Sequence, residues 1–138
     1  MLRHLFPLFL LTALCAGGAA AARGAAQKAA PAQAGVAWAF DTHEDRDGNP
    51  HTKVSLVVGA RRVLVTETTA NFNVVERKDF KEHAVPAAAV AACSGWWAGA
   101  GQDLYVIRRG RTLVVYSRTL DEQTRTPPYR RLKVIPSP

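Results

Sequence analysis

Three stretches of this chain carry side chains whose types and spacing could do chemistry. The first is Asp41-Thr42-His43-Glu44-Asp45-Arg46-Asp47-Gly48-Asn49-Pro50-His51, with four carboxylates and two imidazoles. Carboxylate and amide oxygens suit hard cations, so Asp45, Asp47 and Asn49 are candidate weak ligands for a divalent ion. Placing Gly48 at the sixth position of a twelve-residue calcium loop puts His43 first and Val54 last, where a bidentate Glu is required. The segment therefore reads first as a solvated turn. His43 and His51, with His83, could supply nitrogen ligands to zinc, but no ligand spacing joins them.

The second stretch surrounds Cys93. Cys93-Ser94-Gly95 resembles the residues that open the nucleophile helix of NlpC/P60 cell-wall peptidases. The resemblance covers three residues. That family needs a histidine downstream and has an Asp just before the cysteine. Here no histidine follows Cys93, and Ala92 precedes it, so no catalytic role is carried across. Free cysteine behaves as a small hydrophobe when buried. Cys93 is expected in the core beside Val90 and Trp97.

The third stretch is Trp96-Trp97-Ala98-Gly99-Ala100-Gly101, followed by Arg108-Arg109-Gly110-Arg111. Trp97 is expected to join the core. Trp96 is expected to cover a sheet edge; the functional alternative is a stacking surface for a sugar or a partner protein, with Trp96, Trp97, Gly99 and Gly101 as its candidate binding residues. Residues 101–138 hold eight Arg and Lys against three Asp and Glu. Arg108, Arg109 and Arg111 would suit an anionic envelope polymer or an acidic protein. The expected export weighs against nucleic acid. The glycine run precedes no Lys-Ser/Thr and follows no expected strand, so neither a dinucleotide site nor a phosphate loop is indicated. No cofactor is expected.

Several features bear on where these residues act. Arg3, the apolar run 5–14 and the small residues 16–22 have the layout of a secretory signal peptide, residues 1–22, cut after Ala22. The apolar run has about 10 residues, where a transmembrane helix needs about 20, so no transmembrane span is expected. The destination is periplasmic or extracellular. The alternative is a lipoprotein anchored through Cys15, although Leu14 stands where a small residue is wanted. Residues 23–35 lack large apolar side chains and read as a flexible linker.

Residues 36–138 read as a single β-rich domain. Val36, Trp38 and Phe40 alternate with small residues, as in a half-buried strand. His51–Val58 and Arg61–Thr69 form a hairpin around Gly59-Ala60, and Asn71–Glu76 is a further strand. Arg77–His83 suggests a helical turn or loop, and Pro86 introduces a two-turn helix over Ala87–Cys93. Asp103–Arg108 and Thr112–Arg118 form a second hairpin. Leu120–Pro128 is a polar loop, and Tyr129–Ile135 is the last strand.

The pattern predicts a mostly β fold. It is a small antiparallel sandwich or barrel of six or seven strands with one short helix. The chain has 138 residues, 48% of them hydrophobic, and a net charge of +7. These figures exclude collagen-like, disordered and disulfide-dense classes. The expected function is that of an exported, non-enzymatic binding domain. The second reading is a small secreted hydrolase using Cys93 or the His43–His51 loop.

Overall fold

The computed structural model describes residues 35–121 and 127–137. The expected signal peptide (1–22), linker residues 23–34 and the centre of the 120–128 loop lie outside the described residues. Eight strands form two antiparallel sheets. The smaller holds β1 (Val36–Glu44), β2 (Pro50–Val58) and β3 (Arg61–Thr68). The larger holds β4 (Asn71–Val74), β5 (Ala89–Trp97), β6 (Ala100–Arg109), β7 (Thr112–Asp121) and β8 (Arg130–Pro136). Within each sheet every strand pairs with its neighbours in sequence, giving two meanders and a sandwich-like fold.

The period-two pattern explains the layers. Val54 and Leu56 of β2 face Leu104 and Val106 of β6, Leu113 and Val115 of β7, and Ile135 of β8 in one buried core. Trp38, Phe72 and Cys93 join it. The larger sheet has a second apolar face. Ala92 and Tyr105 pack there under Phe80 and Val85, on the connection between β4 and β5. Both faces of β6 are therefore covered at mid-strand, as its apolar residues on both sides require.

Of the expected helix at Ala87–Cys93, Ala87 and Ala88 form a turn and Ala89–Cys93 is instead the first half of β5. Alanine and a leading proline favour a helix locally, but Ala89–Cys93 pairs along β6, and β4 joins the other edge of the strand from Cys93 on. Small side chains are needed there because both faces are covered. Gly95 lies under the Phe72 ring, where an added Cβ would come within 2.8 Å. The helical turn expected within Arg77–His83 is present as one turn of 3-10 helix, Arg77–Asp79.

The meander places successive turns at alternate ends. One end, the first, holds the β1–β2, β3–β4 and β5–β6 turns. The second end holds Gly35 and the β2–β3 and β6–β7 turns. The two sheets share this orientation. Only Thr69 and Ala70 separate β3 from β4, and the Lys133 ammonium of β8 donates to the Leu64 carbonyl of β3 at 2.7 Å.

Candidate functional site

Adjacent residues of a strand point to opposite faces, and this separates the two tryptophans. Trp97 is 40% exposed and lines a shallow cleft of about 280 Å³ with Thr66, Thr68, Gln102 and Thr119. It does not enter the core. Trp96 is 49% exposed, on the other face of the larger sheet. It borders a cleft of about 270 Å³ with Glu82, His83, Asp103, Arg118, Leu120 and Asp121.

Trp96 is held by close backbone approach. Gly101 is its cross-strand partner, and a Cβ there would meet the indole at 2.8 Å. Glycine alone lets the ring sit against the strand. The turn beyond is tight, with Ala98 at φ 46° and Gly99 at φ 82°. Two successive positive φ values match the hairpin turn whose twist suits its strands. Ala98 adopts one without glycine's freedom, at a cost of about 1 kcal/mol or more.

A buried ion pair forms the cleft floor. Asp103 and Arg118 stand directly opposite across β6 and β7. The guanidinium donates to Asp103 Oδ2 from Nε at 3.0 Å and from Nη2 at 2.7 Å. Nη2 also donates to the His83 carbonyl at 2.8 Å, as does the Tyr129 hydroxyl. The guanidinium lies 4.5 Å from the centre of the Tyr129 ring, within cation–π range. Tyr129 in turn packs edge-on against Tyr105. Burial pushes the Tyr129 hydroxyl up, and the Asp103 charge adds to the effect.

Two oxygens under the cleft make no hydrogen bond with any described residue. They are Asp103 Oδ1 and Ser94 Oγ, on directly paired residues. His83 Nδ1 lies 3.7 Å from Asp103 Oδ1. Buried polar atoms are nearly always satisfied by protein or water, so this floor has spare capacity for water-mediated contacts.

Cys93 lies on the opposite, core-facing side of β5 and is 1% exposed. Burial raises its thiol well above the ordinary value, and the Asp103 charge adds to this. A buried, protonated thiol is a poor nucleophile.

The β1–β2 turn is shorter than its sequence suggests, because β1 runs through Glu44 and β2 starts at Pro50. Asp45 Oδ1 accepts the backbone N–H groups of Asp47 and Asn49, each at 2.9 Å. Its other oxygen faces the Asn49 amide at 3.2 Å and His51 Nε2 at 3.3 Å. The Asn49 N–H leads the contacts that hold Asp45 below its ordinary value. The carboxylate thus organises the turn, while His43 and His51 stack with ring centres 5.7 Å apart. Among the described residues, no group of three or more His, Cys, Asp or Glu is arranged to hold a metal.

Arg108, Arg109 and Arg111 flank Gly110 at the β6–β7 turn, on the second end. From Gly101 to Arg109 the strand runs about 27 Å, so these arginines and Trp96 form separate surfaces. Sequence reading missed Asp103, Arg118, His83 and Tyr129 as a unit. One signal was present: a two-residue turn at Gly110-Arg111 places Asp103 opposite Arg118.

A scan against protein-family models and searches of curated proteins and solved structures return no match to this chain. Among the described residues, no helix is long and apolar enough to cross a membrane.

Proposed function

We propose that this chain is an exported, non-enzymatic binding domain that takes a saccharide unit of an envelope polymer on Trp96. The exposed indole of Trp96, seated against Gly101 above a polar cleft, carries the reading. An aromatic face packs against the C–H face of a sugar ring, while flanking polar groups bond its hydroxyls. Glu82 and the Asp103–Arg118 floor supply such groups at this cleft. Export rests on the leader-like layout of residues 1–22, with delivery to the periplasm or the medium. Lipidation at Cys15 is the alternative route. The burial of Cys93 favours binding over thiol hydrolysis.

The test is a fluorescence titration of the full chain with oligosaccharides released from isolated envelope material. Saturable binding is expected, with Trp96→Ala weakening it at least about thirty-fold, the scale of an interface hot spot. Trp97→Ala should bind as the parent does. An absence of binding, or a Trp96→Ala variant that binds normally, would overturn the proposal.

A further inference from the structure

We propose that the second end of the sandwich docks on an anionic lipid surface through Arg61, Arg62, Arg109 and Arg111. All four side chains are exposed, and they flank two tight turns, Gly59-Ala60 and Gly110-Arg111. The arginines at 61–62 and at 108–111 lie some 50 residues apart in sequence, and the two meanders carry both sets to one end. Arg108 is there too, with Nη1 donating to Ser137 Oγ at 2.8 Å.

Most of the described carboxylates lie elsewhere, and Glu76 on the β4–β5 connection is paired with Lys78. Those of residues 41–47, with Glu67 and Asp121, lie on strand halves or turns toward the first end. Those of residues 76–82 lie on the connection that covers the outer face. A positive end opposite an acidic one orients the molecule in the field of a negative surface. Guanidinium groups match phosphate with paired hydrogen bonds, which suits headgroups. The turns carry only Gly59, Ala60 and Gly110 besides arginine, so contact is at headgroup level without insertion.

A lipid surface is favoured over a soluble polyanion by where the upstream chain joins. Residues 1–34 precede Gly35, whose carbonyl accepts the Gly59 N–H at 3.0 Å in the arginine-bearing turn. The upstream segment, which carries Cys15, thus enters the domain at its arginine end. A chain lipidated at Cys15, the alternative route of export, presents these four arginines to the bilayer.

The test is co-sedimentation of the full chain with vesicles of phosphatidylcholine, alone or mixed with anionic phosphatidylglycerol. The comparison is a variant with all four arginines changed to Gln. Each arginine near an anionic surface contributes roughly five-fold, so the variant should bind anionic vesicles on the order of several hundred-fold more weakly. The Arg109→Gln/Arg111→Gln pair should lose about 25-fold on the same basis, and it guards against misfolding of the fourfold variant. Parent binding should fall as salt is raised through the physiological range. Three results would overturn the proposal. The first is equal binding to neutral and anionic vesicles, the mark of the apolar run acting alone. The second is unchanged binding by the paired variant. The third is capture by soluble polyphosphate with none by anionic vesicles.

Discussion

Changing Arg118 to Met should destabilise the fold strongly, because the Asp103–Arg118 pair is almost fully removed from water. Their side chains are 2% and 9% exposed, respectively. Arg118 makes both of the hydrogen bonds to Asp103 Oδ2 described above, and Oδ1 has none. Without the guanidinium, the buried carboxylate loses both of its short hydrogen bonds and keeps only His83 at 3.7 Å and the neighbouring Tyr129 hydroxyl as nearby donors. Removing one partner of such a pair costs about 3–5 kcal/mol. For a domain of this size that is a fall in Tm of at least about 12 °C. The cost should come from the orphaned charge, not from lost packing, because Met retains much of the arginine stem. The double variant Asp103→Leu/Arg118→Met should therefore recover at least half of the loss, since apolar replacement of a whole buried pair is often near neutral. Urea unfolding at neutral pH, followed by tryptophan fluorescence, reads both effects. Lys78→Met, which breaks the exposed Glu76–Lys78 pair, should leave the midpoint in place. A cost for Arg118→Met below about 1 kcal/mol, the scale of an exposed pair, would refute the reasoning. So would a double variant as unstable as the sum of its singles.

Other outcomes follow from the same packing. Cys93 in the native protein should resist a thiol reagent at neutral pH and react fully once unfolded; rapid native labelling would place the thiol outside the core. The raised folded values of Cys93 and Tyr129 favour their neutral forms, so this contribution to stability is full below the unfolded values of 9.0 and 10.0. It is lost as pH rises past them, and the unfolding midpoint should hold through pH 8 and fall above pH 9. Gly95→Ala should cost about 1–3 kcal/mol by forcing a Cβ against Phe72, as read by the urea midpoint.

Much of the fold is legible in local pattern. Val36, Trp38 and Phe40 mark β1 by alternation, and glycines mark the β2–β3 and β6–β7 turns. β5 is misread because the preferences of Ala87–Ala92 are local, whereas its strand state comes from pairing with β4 and β6. The cleft is only partly legible. The exposed Trp96 is visible as an unusual residue beside glycines, and Asp103 and Arg118 follow from hairpin register. His83 meets Arg118 across 35 residues, and Tyr129 meets His83 across 46. No spacing rule announces such contacts. Nor does local charge show that Arg61 and Arg62 share an end with Arg109 and Arg111, because only the paired meanders bring them there.

The placement of the ligand on Trp96 is tested most directly by the indole N–H resonances of the chain's three tryptophans. Trp38 is buried, while Trp96 and Trp97 are exposed on opposite faces of the larger sheet. With each resonance assigned by a single Trp→Phe variant, envelope oligosaccharide should shift the Trp96 signal progressively and leave those of Trp38 and Trp97 in place. Movement of the Trp97 signal with Trp96 unmoved, or no movement at saturating oligosaccharide, would contradict the account.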